Sequence, residues 1–386
     1  MTGTADILVP LVAVAFTGFH VAFGRWLLAG LRRGTARHSS DLPAATILVP
    51  SRDEEENLRQ LLPSLLAQDY PGDRLQILVV DDRSTDGTAE TVEALGGGRV
   101  DLVRVEDLPP GIGPKKNAIL RGLERATGEI ILQLDADNMP QAGWARAMIG
   151  SFGPMTGSVC GLVFHAERAS GVKLWFHGTW AVEALGWAAV QEAAIGNGVP
   201  ISANGGNLAY RRKAFESVGG FGRHGHVVSG DDDFLIQALA DSGRWEVLSA
   251  LAPQTHVTTR GPSDWSVVWE QRKRWGSICV RYDAKRVALL TTVYASYAWI
   301  AVLLPLSLFH ARLLAWAVLP LLAILWEAWV LVANMAERSG RRRFLVWFPL
   351  AAILQIPLVL VATAAGTFGR FRWKDGWTRA ARARPG

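Results

Sequence analysis

At 386 residues, 49% hydrophobic and 19% charged, the chain is too long for one small module and too apolar for a disordered one, so two structural regions are expected. Two cysteines, Cys160 and Cys279, exclude a disulfide framework, and no Cys/His cluster at zinc-ligand spacing accompanies them, which fits a reducing compartment. Of the formal net charge of +5, residues 336–386 carry ten Lys/Arg against Glu337 and Asp375, a net +8 that leaves −3 for the rest; the basic character is a tail property, and no nucleic-acid partner is expected.

Eighteen residues from Ile7 to Gly24 contain no charge, and the apolar run continues past Arg25 to Ala29, long enough to cross a bilayer core. Met1–Asp6 holds no basic residue, which favours a retained anchor over a cleaved signal. Near the C-terminus, Ala288–Phe309 and Phe344–Gly366 are charge-free and Leu313–Met335 carries only Glu327, giving about four spans, with Trp299, Trp316, Trp326, Trp329 and Trp347 as candidate interfacial anchors. Arg32, Arg33 and Arg37 after the first span put the middle of the chain in the cytosol, and Arg338 and Arg341–Arg343 agree. The same count sends Arg370, Arg372, Lys374, Arg379, Arg382 and Arg384 outside, against the rule. A re-entrant or in-plane helix broken at Pro349 or Pro357 would bring them back.

The predicted organisation is therefore an anchor and linker (1–43, with the linker from Gly34 to Pro43), a polar domain (44–285) and a C-terminal membrane region (286–386). In the polar domain, apolar runs predict strands at Ala45–Pro50, Gln76–Val80, Asp101–Val105, Ile130–Leu134 and Ser158–Phe164. Helices are predicted at Glu54–Gln68, Thr85–Leu95, Lys115–Ala126 and Gly143–Phe152. This alternation is an α/β fold with a mostly parallel sheet, whose ligand crevice lies at the carboxyl ends of the strands.

Two strands run into acid pairs there, Asp81-Asp82 and Asp135-Ala136-Asp137. If the backbone stays extended, Asp135 and Asp137 leave the same face and suit Mg²⁺ or Mn²⁺ shared with a diphosphate; a solvated Asp turn fits the same letters. Lys115 and Lys116 open a helix after Gly111-Ile112-Gly113-Pro114. First-turn lysines oppose the helix dipole, so an anion such as phosphate is expected beside them unless both are simply solvated. Ser229-Gly230-Asp231-Asp232-Asp233 precedes a helix reaching about Ala240. Ser229 and Asp232 have capping-box spacing, yet three acids exceed what capping requires, and their mutual repulsion would raise one pKa as a general base needs. On a helix from Ser266 to Arg281, Gln271, Arg274 and Trp275 share a face that could grip a diphosphate beside a sugar, while Arg272 and Lys273 turn aside. An interfacial amphipathic helix is compatible with the same pattern.

Taken in order, Val49–Glu55, Val80–Thr88, Asp135-Ala136-Asp137, Ser229–Asp233 and Gln271–Trp275 resemble a membrane-bound family 2 glycosyltransferase of GT-A fold, with its DxD and QxxRW motifs, over about residues 44–280. The resemblance implies inverting transfer from a nucleotide-diphosphate sugar, UDP-sugars foremost, to a hydroxyl of a membrane lipid or lipid-linked glycan at the inner or plasma membrane. It implies that Pro50, Glu54, Asp81 and Asp82 contact the nucleoside and that Lys115 or Lys116 lies near the donor phosphates. Asp135 would lie near ribose or metal, and Asp137 would ligate the metal. Gln271, Arg274 and Trp275 would close over diphosphate and acceptor, with Asn204-Gly205-Gly206 on the acceptor side. Gly230 stands where the family often has Glu, which makes Asp231 the first choice of base and Asp232 the second.

Within that class, a processive polysaccharide synthase is the alternative, although three C-terminal spans are few for a channel. An inactive sugar-nucleotide-binding scaffold is the alternative of another class. The predicted spans contain only His20, Arg25 and Glu327 as ionisable residues, few for a transport path. A dinucleotide-binding oxidoreductase is disfavoured because the first strand leads into Ser51-Arg52-Asp53-Glu54 and no glycine-rich turn.

Overall fold

The computed structural model describes residues 4–33, 39, 41–167, 171–374 and 376–379. Arg37, Asp375, Arg382, Arg384 and most of the linker 34–43 lie outside the described residues. In chain order, α1 (Thr4–Arg33) precedes β1 (Ala45–Ser51), α2 (Glu55–Leu66), β2 (Leu75–Asp82), α3 (Thr88–Leu95), β3 (Val100–Val105) and α4 (Pro114–Arg125). Then come β4 (Ile130–Leu134), β5 (Asn138–Pro140), α5 (Trp144–Gly150), β6 (Thr156–Cys160), β7 (Val163–His165) and α6 (Leu174–Gly196). β8 (Asn207–Arg211), α7 (Arg212–Ser217), α8 (Asp231–Asp241), β9 (Glu246–Ser249), β10 (Val257–Thr259) and α9 (Trp265–Cys279) follow. The chain closes with α10 (Ala284–Leu306), α11 (Leu314–Arg338), α12 (Phe348–Phe368) and the hairpin β11 (Arg370–Trp373) and β12 (Gly376–Arg379).

Contacts divide the chain into two compact units. The first to consider, Arg33–Ala169 with Ala194–Gly261, is built on a seven-stranded sheet in the order β3-β2-β1-β4-β8-β6-β9. Strict alternation sorts its strands between two cores. Ile47, Val49, Ile130, Leu132 and Leu134 face α2 and α5, meeting Leu58, Leu61, Leu62, Leu65, Trp144 and Met148. Leu48, Leu78, Val80 and Ile131 face α4 and α8, meeting Ile119, Leu123, Leu235 and Leu239. Burying each such side chain contributes about 2 kcal/mol, which is why the period-2 pattern fixes the register.

β1 pairs parallel with β2 as far as Ser51 opposite Asp81, but with β4 only as far as Leu48 opposite Gln133. The two strands part beyond that point, so Pro50 lies past the paired stretch and its missing N–H interrupts no ladder on the β4 side. The crevice opens where strand order reverses. β8 was not anticipated: it enters the middle of the sheet antiparallel to β4 and β6, starting at Asn207 directly after Asn204-Gly205-Gly206. The strand expected at Ser158–Phe164 is two, β6 in the main sheet and β7 in a small sheet β5-β10-β7.

The second unit, Met1–Arg32, Ser170–Ala193 and Pro262–Gly386, is mainly helical in its described residues, with the hairpin β11–β12 near its end. Four of its segments are long and apolar enough to cross a membrane: Asp6–Arg33, Ala284–Leu306, Ala311–Arg338 and Arg342–Phe368. The expected break in the last is absent: α12 runs unbroken through Pro357, and Pro349 sits in its first turn, where no N–H partner is lost. α6 is an element the sequence reading missed. It supplies Glu183, which takes two hydrogen bonds from Arg272 of α9, and Glu192, which pairs with Arg338 of α11.

Candidate active site

The two strands that part at Leu48 deliver their following loops to one edge, and loop chemistry decides what they present. After β1, Asp53 takes a left-handed backbone (φ 51°) and its Oδ1 accepts from Thr85 N at 2.7 Å, while its own N–H donates to Ser84 Oγ at 2.9 Å. Glu54 N donates to Thr88 Oγ1 at 2.9 Å, and Glu55 Oε2 accepts from Gly87 N at 3.1 Å. The loops after β1 and β2 are thereby laced together. Asp81 accepts from Ser84 N at 3.2 Å, and both oxygens of the buried Asp82 are taken by Arg83 at 2.8 and 2.9 Å. Glu54 Oε2 accepts from Asn57 Nδ2 at 2.6 Å.

Beyond β4 the backbone does not stay extended: Asn138 N donates to Asp135 O at 3.0 Å, so Asp135–Asn138 is a tight turn. Asp135 Oδ1 accepts from Lys115 Nζ at 2.8 Å, and Asp137 Oδ2 from Thr259 Oγ1 at 3.1 Å. Desolvation by the surrounding protein, then Asp135 and Glu54, push the Asp137 carboxyl up to about 6, although its side chain remains open to solvent. Among the described residues no three of His, Cys, Asp and Glu form a ready metal cage. The donor set still fits a hard divalent ion, since a carboxylate whose proton affinity is raised by neighbouring acids is relieved by one, and Mg²⁺ commonly takes only one or two protein carboxylates plus phosphates.

The two lysines part company. Lys115 Nζ lies 2.8 Å from Asp135 and 3.3 Å from Asp231. Burial alone would lower its pKa, but Asp135, Asp231 and Asp232 raise it above the ordinary lysine value. These carboxylates are the anions that the helix-start lysine calls for. Lys116 is fully buried, and its Nζ donates to the carbonyls of His224, Val227 and Ser229 at 2.9, 2.7 and 3.0 Å. Burial pushes its pKa down to about 8. It holds the segment that leads into α8, so the expectation that it lies at donor phosphates is corrected: its three N–H bonds are spent on backbone.

The capping expectation for Ser229 and Asp232 is also corrected. The α8 N-cap is Gly230 at φ 75°, a conformation that favours glycine, with no side-chain capping bond. The acids instead reach across to β4 and to the segment before β8. Asp231 Oδ2 accepts from Gln133 Nε2 at 2.9 Å, Asp232 Oδ2 from Gly205 N at 2.6 Å and Asp233 Oδ1 from Ala203 N at 3.0 Å. Burial favours the neutral form of Asp231, yet Lys115, Lys116 and Gln133 hold its pKa below the usual carboxylate value. Burial, then Asp233 and Asp231, push Asp232 well above it.

Asn204-Gly205-Gly206 sits against these carboxylates. A Cβ on Gly206 would come within 2.1 Å of Asn138 Nδ2, which would have to move, and one on Gly205 within a tight 3.1 Å of Asp231 and Asp232, so glycine permits the close approach. Three residues missed from sequence hold the arrangement. Gln133 Nε2 donates to Gly205 O (3.0 Å) as well as Asp231, Asn138 Nδ2 donates to Gly206 O (2.8 Å), and buried Asn207 donates to Leu162 O and Thr255 O while accepting from Trp144 Nε1. The available signal for Gln133 was one amide inside Ile-Ile-Leu-Gln-Leu.

In the helical unit, Gln271, Arg274 and Trp275 of α9 are all half-exposed, whereas Arg272 and Lys273, expected only to turn aside from that face, are buried. Arg272 does more than turn aside. It pairs with Glu183, donates to Gln271 Oε1 at 2.7 Å and lies 4.2 Å from the centre of the Trp275 ring.

The class this sheet defines is the GT-A-type α/β fold, with a mostly parallel sheet and acidic loops at its carboxyl edge. A mannosyltransferase from Pyrobaculum calidifontis, solved with GDP-Man and Mn²⁺, shares the fold at a TM-score of 0.56 and 22% identity, over 93% of this chain and 98% of its own. Residues 46–219 match the family described as glycosyl transferase family 2. Similar proteins include a beta-monoglucosyldiacylglycerol synthase from Synechocystis sp. (25% identical, 86% of this chain and 70% of that protein). A probable glycosyltransferase, YdaM, from Bacillus subtilis is 28% identical over 61% of this chain and 55% of its own, and a beta-monoglucosyldiacylglycerol synthase from Nostoc sp. is 27% identical over 61% and 48%. The chain spans about half the length of these last two.

Proposed function

We propose that the protein is an inverting glycosyltransferase that moves a sugar from a nucleotide-diphosphate donor, a UDP-sugar first, to a hydroxyl of a membrane lipid or lipid-linked glycan. The observation that carries this reading is the convergence on Lys115 of Asp135, from the end of β4, and Asp231, from the start of α8, with Asp137 and Asp232 beside them. The names of the relatives, which specify a glucosylated diacylglycerol, and the four long apolar helices support a lipid acceptor.

In the proposed reaction the acceptor oxygen bonds to the anomeric carbon from the face opposite the leaving nucleoside diphosphate, whose C–O bond breaks, and the hydroxyl proton passes to a carboxylate. Asp232 is the better base: it is half-exposed and its proton affinity is raised, whereas Asp231 is committed to Lys115 and Gln133. Mg²⁺ or Mn²⁺ held by Asp137 and Asp135 would neutralise charge developing on the diphosphate. Lys115 is placed to add its ammonium to that task. Glu54, Asp81 and Asp82 remain candidates for the nucleoside side, and Gln271, Arg274 and Trp275 enter on their sequence pattern alone. Positive residues after the first span support a cytosolic catalytic domain.

Detergent-purified full-length protein, given UDP- and GDP-sugars with diacylglycerol and Mn²⁺ or Mg²⁺, is expected to release nucleoside diphosphate and yield a glycolipid carrying one sugar by mass spectrometry. Loss of release in Asp137→Ala and Asp232→Asn is the expected control. A ladder of polymers would replace this reading with a processive synthase, and nucleotide binding without any release would reduce the protein to a scaffold.

A further inference from the structure

The basic tail poses a question of side that contacts within the helical unit answer. α1 and α11 run parallel: Arg312, just before α11, pairs with Asp6 near the start of α1, and Arg338 at the end of α11 donates to Leu31 O near the end of α1. α10 runs against both, since Trp299 meets Phe16 and donates to Trp316 O, and its Ser296 shares His20 with Glu327. These three helices thus connect two faces, one marked by Asp6 and Arg312, the other by Leu31 and Arg338.

α9 belongs to the second face. Only residues 280–283 separate it from the start of α10, and it is bonded through Arg272 to Glu183 of α6, the helix whose Glu192 pairs with Arg338. Its Glu270, Arg272, Lys273 and Arg274 keep it out of the hydrocarbon. Both ends of α12 are tied to α6 and α9. Before its first turn, Phe344 packs on His177, and the Trp347 indole lies so close to Gly178 that a Cβ there would meet it at 2.1 Å. At its last turn, Gly366 lies against the Lys273 backbone, where a Cβ would fall 2.0 Å from the carbonyl oxygen, and Gly276 of α9 lies against Thr363. The strand that follows stays there: Lys273 Nζ donates to Arg370 O at 3.1 Å and Arg372 N to Glu270 Oε2 at 2.6 Å. A helix of 21 residues is about 31 Å long, enough to carry Arg370 to the opposite face had it crossed.

We infer that α12 does not cross the bilayer. It lies embedded in the acyl layer of one leaflet beneath α6 and α9, and it returns the hairpin with Arg370, Arg372 and Lys374 to the face of Leu31 and Arg338. Its occupant-facing surface is Ile353, Val361 and Phe368, which are 69%, 56% and 89% exposed, and the helix carries no charge, so lipid chains cover it. Three crossings and one embedded helix then satisfy the positive-inside rule that four crossings violate. The inference does not depend on the proposed activity.

Two measurements on the full chain in oriented membrane vesicles test it. An epitope appended after Gly386 and one inserted among residues 34–38 should be cleaved by added protease in the same vesicle orientation. Spin labels at Ile353→Cys and Val361→Cys, in a Cys279→Ala background, should report equal depths within about 3 Å, against a difference of about 12 Å for eight residues along a crossing helix. Protection of the two epitopes in opposite orientations, or the larger depth difference, overturns the inference.

Discussion

Replacing Gln133 by Met keeps the length and apolar stem of the side chain while deleting the amide that donates to Asp231 Oδ2 at 2.9 Å and to Gly205 O at 3.0 Å. Gln133 is 2% exposed, so water cannot readily take over either bond. A buried bond to a charged acceptor contributes roughly 1.5–3 kcal/mol and one to a carbonyl about 1 kcal/mol, for a combined loss of about 3 kcal/mol. In a unit of this size that lowers the apparent Tm by roughly 6–12 °C. Turnover should fall through kcat more than KM, because Asp231 and Gly205 lose their shared tether beside Asp232. A double-mutant cycle with Asp231→Asn, read by thermal unfolding and by nucleoside diphosphate release, should show the two changes coupled by about 1–2 kcal/mol. A Met variant with unchanged Tm and unchanged kcat, or strict additivity with Asp231→Asn, would refute the assignment of Gln133 as the tether.

The remaining predictions use the same side chains. Lys116→Met should cost several kcal/mol by leaving the carbonyls of His224, Val227 and Ser229 unpaired, seen as a lower Tm, whereas Lys115→Met should cost less stability and most of the turnover. Asp232→Asn should lower kcat by about 10²–10⁴ and Asp231→Asn by less, and the wild-type rate should fall as pH drops through the raised pKa of Asp232, since a protonated base accepts nothing. Mn²⁺ affinity, measured by electron paramagnetic resonance without nucleotide, should weaken as pH falls through about 6, where Asp137 takes up its proton; affinity constant from pH 5 to 7.5 would remove Asp137 from the ion site.

Near-continuous apolar runs made β1, β2 and β4 legible because both faces of each strand are buried, and the acid pairs at the ends of β2 and β4 were visible for the same reason: a charge ending an apolar run marks the sheet edge. β8 escaped because Asn207-Leu208-Ala209-Tyr210-Arg211 follows a glycine pair and carries a buried Asn whose partners, Leu162, Thr255 and Trp144, are distant in sequence. α6 escaped because its apolar residues run all round and no charge pattern declares a face; its glutamates acquire meaning only beside Arg272 and Arg338. Lys115 and Lys116 were equivalent as letters. A turn of about 100° per residue aims one at carboxylates and the other at carbonyls, a distinction that tertiary placement alone makes. The three acids of Asp231–Asp233 likewise read as one cluster, while in the fold each is taken by a different partner.

The lacing of the β1 and β2 loops carries a lesson for engineering. Because Asp53 grips Thr85, Glu54 leans on Thr88 and Glu55 grips Gly87, neither loop can be exchanged alone without stranding hydrogen-bonding groups of the other. Under the proposed function, in which these loops border the nucleoside, a graft meant to change donor choice must therefore transplant residues 51–57 and 83–88 as a matched set. Single-loop chimeras are expected to fail in folding before they reveal anything about choice of donor.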